Sequence, residues 1–241
     1  MEKFMRKDET GKPVDSTKFR SLIGGLQYLV HTRPDIAFVV GLISLFMEKP
    51  TLMHLNAVKR VLRYVKGTLE YSLRYAKGSG NHMLTGFSDS DFSGSCGDRR
   101  NTSGMAFYLN KNLITWISQK QRCVALSTCE AEFMAATAGA CQGIWLQKLL
   151  SRITDVVPGP VTLYIDNKST IDLAKNLVFH GRSKHIDVRY HFIRECMDRG
   201  EIVLKHISSD RQCADILTKA MSAKFEEMRS LLGIKNLVKQ V

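Results

Sequence analysis

The chain has 241 residues, of which 44% are hydrophobic and 24% charged, enough to bury a sizeable core and unlike collagen-like, low-complexity or disulfide-scaffold compositions. Lys and Arg number 35 against 23 Asp and Glu, a formal charge of +12, which turns the partner list toward polyanions, nucleic acid first. The longest apolar stretch, Ile36 to Met47, is too short and too interrupted to span a membrane, and Met1 to Asp15 lacks the apolar centre of a signal peptide. The six cysteines show no Cys-x-x-Cys pair and no metal spacing with His, so reduced, mostly buried thiols are expected.

In chain order, Thr32-Arg33-Pro34-Asp35 reads as a capping box opening a helix to about Met47. A second helix starts at Pro50-Thr51, with Val58, Val61, Leu62 and Val65 on one stripe and Lys59, Arg63 and Lys66 on another. Residues 1–85 hold 14 Lys/Arg against 7 Asp/Glu, so this third of the chain carries +7 of the total +12. The turn-forming stretch Lys77 to Asn81 marks a boundary, dividing a helical segment, 1–80, from an α/β region, 81–222, with a tail at 223–241. Leu84 to Asp89, Gly104 to Leu109 and Leu113 to Ser118 predict an antiparallel meander. Ser127 to Glu130 is a capping box for a long helix to Leu150. A strand at Val161 to Asp166, a helix through Ala174, a basic connection, a helix over Tyr190 to Asp198, a strand at Ile202 to Ile207 and a final helix from Ala214 follow. Such an order predicts a mixed sheet flanked by helices. Trp116 and Trp145 read as core residues, and His31, His54 and His82 as surface or packing residues.

Four acids stand out because they sit in or beside apolar elements. Asp89 and Asp166 end strands, where α/β sheets place their sites. Glu132 shares a helix face with Ala135, Ala136, Gly139 and Gly143, whose small side chains allow a close approach to the sheet, whereas Glu130 points elsewhere. Asp215 lies in the opening turn of the predicted final helix. Converged, these carboxylates would repel unless a hard cation neutralised them. Oxygen-only donors favour Mg2+ or Mn2+, and two ions about 3.5 to 4 Å apart suit phosphodiester hydrolysis. The plainer alternative makes Asp89 and Asp166 turn formers, Glu132 a helix-dipole partner and Asp215 a cap. Asp91, two residues along the same strand, could stand in for Asp89.

The residues also resemble the RNase H domain of copia-type retrotransposon Pol polyproteins. The resemblance runs through Gly86 to Phe92, Asp98 to Gly104, Val124 to Phe133, Asp166 to Ser169, Lys184 to Glu195 and Ala214 to Lys219. It extends to Tyr28-Leu29, Thr32 to Ile36 and His54 to Thr68, which are similar to the segment between the reverse-transcriptase palm and RNase H. It implies an RNase H-like mixed five-stranded sheet, preceded by a small helical segment, and a ribonuclease that cleaves the RNA strand of RNA·DNA hybrids. It also implies two Mg2+ ions, or Mn2+, on Asp89, Glu132, Asp166 and Asp215, with Asp91 supporting them. Phe92, where the family usually has Trp, and Cys129 depart from its pattern. A histidine near the metals would be His185 or His206, with His185 ranked first.

Residues 180–194 are strongly basic, so Arg182, Lys184, Arg189 and Arg194 join Lys59, Arg63 and Lys66 as candidate phosphate contacts. A solvated basic face is the bland alternative. The absence of a Tyr-Val-Asp-Asp-type motif predicts no polymerase activity from this chain alone, so the rest of a reverse transcriptase joins the hybrid on the partner list. A cytoplasmic site is expected, with the nucleus or virus-like particles as alternatives. The competing functional readings are an inactive nucleic-acid-binding remnant of a retroelement and an interaction module that reuses the fold.

Overall fold

The computed structural model describes residues 10–77, 82–92, 99–156, 158–175 and 184–238, with the side chains of residues 184–187 excepted. Helix α1 (Ser16–Val30) starts on Asp15, whose carboxylate accepts from the Thr17 and Lys18 amides at 2.9 and 3.2 Å. Its buried residues Phe19, Ile23 and Leu26 follow the i, i+4, i+7 spacing. They pack with Ile36, Ile43, Val58 and Val61 of a 3₁₀ turn (Pro34–Ile36), α2 (Ala37–Ser44) and α3 (Leu52–Lys66) to form a helical core. The expected helix from Thr32 to Met47 is thus replaced by a 3₁₀ turn and a shorter α-helix. Asp35, the acid of the expected capping box, instead takes the Arg33 guanidinium at 2.7 Å.

After the short strand β1 (Tyr71–Leu73), strands β2 (Leu84–Asp91), β3 (Thr102–Leu109) and β4 (Asn112–Lys120) form the predicted antiparallel meander. Helix α4 (Thr128–Thr154) crosses back to β5 (Val161–Ile165), which lies parallel to β2. Helices α5 (Lys168–Lys175) and α6 (Lys184–Asp198) then lead to β6 (Ile202–His206), parallel to β5. The sheet order is β4-β3-β2-β5-β6, so the fold is the RNase H-like mixed five-stranded sheet that the resemblance implies. Helix α4 lies close because its contact stripe is small. A Cβ at Gly139 would sit 3.3 Å from Leu163, and one at Gly143 would sit 3.1 Å from Val161.

One sheet face packs Phe107, Leu163 and Ile165 against Phe133, Ala136 and Ala140 of α4 and Ile193 of α6. The other packs Ala106, Tyr108 and Leu113 against Ala37, Ile216, Leu217 and residues of α7 (Phe225–Leu231). Strand β7 (Ile234–Asn236) pairs antiparallel with β1, so the end of the chain joins the segment before the meander.

Several expectations are corrected. Residues from Ala214 do not open a long helix: Asp215–Leu217 is a 3₁₀ turn and α7 begins only at Phe225. Thr218 turns its hydroxyl to the Asp215 carbonyl and to Asp89, and the helix does not propagate. The basic connection is helical from Lys184, so Arg189 rides on α6 and not on a loop, on the same helix as Arg194. Trp145 is 56% exposed, because it lies about 200° around α4 from Gly143 on the contact stripe. Trp116 is partly buried and donates its indole N–H to the Val30 carbonyl at 3.1 Å. Only Cys196 and Cys213 are buried among the described cysteines, and Cys141 is exposed.

Candidate metal centre

The acids assemble at the carboxyl ends of β2 and β5. Asp89 occupies β2 opposite Gly104 of β3, and Asp166 follows the last residue of β5. Asp215 arrives on the 3₁₀ turn. Each of these three offers an oxygen within 4.8 Å of the others'. Gly104 makes the approach possible. A Cβ there would lie 2.6 Å from Thr218 Cγ2 and 2.8 Å from the Ala214 carbonyl, which would push the Asp215 segment off the strand. Gln212 pins the same segment by donating to the Ser88 carbonyl at 2.9 Å.

Glu132 comes from the first turns of α4 and is 4% exposed. Its Oε1 accepts from the Ser90 amide at 3.1 Å, while Oε2 is buried without a hydrogen-bond partner among the described residues. The start of α4 is tied to the meander by Gln121, whose amide donates to Ser90 Oγ, Ser103 Oγ and the Ala131 carbonyl. Glu130 points away and accepts from the Leu126 amide, while Ser127 caps the Glu130 amide.

Burial and mutual repulsion dominate the electrostatics. Burial, then Asp89 and Asp166, pushes Glu132 up to about 9. Burial and Asp89 push Asp215 up to about 7, against the pull of Lys219. Asp89 is also raised, chiefly by burial, although Lys219 and the Thr218 hydroxyl oppose the rise. Lys219 Nζ stands 2.9 Å from Asp215 Oδ2 and 3.9 Å from Asp89 Oδ2. Burial disfavours its charge, but Asp89 and Asp215 outweigh burial and raise its pKa. Asp166 Oδ2 accepts from Ser209 Oγ at 2.8 Å.

This donor set fits a hard divalent cation. It contains oxygens only, three of them converge, and two buried carboxylate oxygens, Glu132 Oε2 and Asp215 Oδ1, have no hydrogen-bond partner among the described residues.

The other candidates are placed as follows. Asp91 is the last residue of β2 and only partly buried. His206 is exposed at the end of β6, its strand partner being Ile165 beside Asp166. Lys59, Arg63 and Lys66 are all exposed on α3. Arg194 pairs with Asp198 at 3.8 Å, and Arg189 lies near Cys141, whose thiol burial pushes up against the pull of the Arg189 charge. Lys184 and His185 occupy the first turn of α6, but their side chains lie outside the described residues, as does all of Arg182. Sequence reasoning assigned no role to Lys219, Thr218, Ser209 or Gly104. The i, i+4 spacing of Asp215 and Lys219 was the available signal for the lysine.

No protein-family profile matches the chain. It is 41% identical over 218 residues to the retrovirus-related Pol polyprotein from transposon TNT 1-94 of Nicotiana tabacum, covering 90% of this chain and 16% of that protein. The corresponding polyprotein from transposon RE1 of Arabidopsis thaliana is 38% identical over 224 residues, covering 92% of this chain and 15% of its own length. Among solved structures, LC11 RNase H1 in complex with an RNA/DNA hybrid overlaps at a TM-score of 0.41 and 14% identity, over 56% of this chain and 93% of that one. The chain therefore belongs to the retrovirus-related Pol polyproteins of copia-type retrotransposons, of whose length it spans about one-sixth.

Proposed function

We propose that this segment is an RNase H-type nuclease that cleaves the RNA strand of RNA·DNA hybrids. The observation that carries the reading is the convergence of Asp89, Asp166 and Asp215 within 4.8 Å, beside a buried oxygen of Glu132 that has no partner among the described residues. Such an assembly of buried and half-buried like charges is costly, and clusters of this kind concentrate at functional sites.

Asp89, Glu132, Asp166 and Asp215 would hold two Mg2+ or Mn2+ ions. Bound divalent ions supply the acidity that makes water nucleophilic near neutral pH and neutralise charge on the reacting phosphate. The chain's own residues prepare that site. Ser90 orients Glu132 through its amide, Thr218 orients Asp89 through its hydroxyl, and Ser209 orients Asp166. The hybrid would be held through its backbone, one strand by phosphates and the other by 2′-hydroxyls, without base readout. Lys59, Arg63 and Lys66 of α3 and Arg189 and Arg194 of α6 would provide the positive charge, together with Arg182 and Lys184. His185 or His206 would relay protons or help product leave. The remainder of a reverse transcriptase would be its physiological neighbour.

The test is cleavage of a labelled hybrid in Mg2+ by the parent, Asp89→Asn and Asp166→Asn. Each substitution should cut the rate by more than about 100-fold, beyond the loss seen when only a group buttressing a ligand is removed. Cleavage that survives both would remove the proposed centre. Hybrid binding without cleavage by the parent would favour the inactive-remnant reading.

A further inference from the structure

Among the described residues, Lys219 pairs its ammonium with this acidic centre. Its amide and that of Thr218 both donate to the Asp215 carbonyl at 3.1 Å, a tight turn that sets the lysine side chain beside the carboxylate four residues earlier. The ammonium reaches Asp215 Oδ2 at 2.9 Å and Asp89 Oδ2 at 3.9 Å, so one positive charge bridges two acids that lie 126 positions apart on different elements. A surface ion pair made for stability alone would have no reason to engage two oxygens of a proposed metal centre.

The position is physically awkward once a divalent cation is present. The ion and the ammonium would draw on the same two carboxylates and repel one another. The lysine has an escape route, since its side chain is 38% exposed while those of Asp89 and Asp215 are only 4% and 5% exposed. The acids are fixed and the ammonium can leave.

We propose that Lys219 is a built-in counter-cation. It holds Asp89 and Asp215 together before metal arrives and withdraws into solvent when a divalent ion binds, so it weakens and thereby sets the site's affinity for metal. This rests on the metal-centre reading above. The positive charge is what matters, so arginine should largely replace lysine and methionine, of similar length, should not.

The test is Mn2+ binding, followed by electron paramagnetic resonance, together with melting in EDTA, on the parent, Lys219→Met and Lys219→Arg, with Asp166→Asn as the control. Lys219→Met should bind Mn2+ on the order of tenfold more tightly, melt at a lower temperature in EDTA, and gain more from added Mn2+ than the parent. Lys219→Arg should stay near the parent in all three. Parent-like or weaker Mn2+ binding by Lys219→Met overturns the proposal. A parent that binds no Mn2+, or an Asp166→Asn variant that binds it as well as the parent, overturns the metal centre and this proposal with it. Should Lys219→Met fail to fold, acylation of the Lys219 amine in the parent, read by mass spectrometry, decides the matter. Labelling that speeds up when Mn2+ is added supports displacement, and labelling that is unchanged or slower overturns it.

Discussion

Asp35 and Glu132 are equally buried, each 4% exposed, yet the protein treats their charges in opposite ways. Both oxygens of Asp35 are taken: Arg33 donates to them from Nε at 3.0 Å and from its terminal nitrogen at 2.7 Å, and the Tyr64 hydroxyl adds a contact at 2.5 Å. Arg33 also donates to the Thr68 carbonyl and hydroxyl. From the far end of the chain, Arg229 donates to Tyr64 at 3.1 Å and covers the Tyr71 ring at 4.1 Å. Burial and Asp35 together push the Tyr64 phenol up to about 12, which keeps it a donor. Glu132 has one amide and, among the described residues, nothing on its second oxygen. A buried charge with both oxygens engaged fixes the packing of elements, here α3, the turn Pro34–Ile36 and α7. One left short is a site awaiting something.

Breaking the satisfied network should therefore cost more stability than any change at the acidic centre. Asp35→Ala would strand the Arg33 guanidinium in the interior, and a loss of about 3–5 kcal/mol is expected from urea unfolding. Asp89→Asn removes a repelling charge and should leave the metal-free protein as stable as the parent or more so. Equal losses from the two substitutions would erase the distinction.

The pH dependence sharpens the same contrast with a smaller effect. Glu132 rises from an ordinary 4.5 to about 9 in the folded chain, and Asp215 from 3.8 to about 7. For groups raised on folding, the stabilising contribution is complete below the ordinary value and is lost as pH climbs through the folded one. In EDTA the melting temperature should fall by about 5 °C or more between the ordinary carboxylate range and about 9. Added Mg2+ should flatten the curve by favouring the ionised acids. A metal-free protein whose melting temperature stays level over that range would show that the carboxylates are not forced together.

The same two regions show what a linear chain reveals. The meander, the long helix and the position of Asp166 at the end of β5 were legible because alternation, caps and small-residue stripes are local signals, whereas β2 runs two residues past Asp89 to Asp91. Glu132 was legible through Gly139 and Gly143, which do meet the sheet. The turn carrying Asp215 was not. Its course depends on Gly104 and on Gln212 reaching Ser88, contacts more than 100 positions apart. Asp35 was misread for a related reason: Thr32 to Asp35 matches a capping pattern, but Tyr64 and Arg229, 29 and 194 positions further on, provide the network in which its carboxylate sits. Trp145 reads as core because it lies on an apolar stretch of helix, and only the helix's rotation against the sheet turns it outward.

The smallest expected effect bears on how the two regions cooperate. Helix α3 carries Tyr64, at the heart of the satisfied network, and also the exposed Lys59, Arg63 and Lys66. Anchoring the one thus presents the other at a fixed orientation. If each of the three cations meets a phosphate, replacing all three with Ala should weaken hybrid binding and reduce the slope of log affinity against log salt by up to about 3. The cleavage rate at saturating hybrid should change little, because none of the three belongs to the acidic centre. An unchanged salt slope would take α3 out of the nucleic-acid path and leave the Arg33–Asp35–Tyr64 network a purely structural staple. A reduced slope would make that network the element that aligns the grip with the cut, and Tyr64→Phe, which keeps the ring and deletes its hydrogen bonds, should then lower affinity with all three cations still in place.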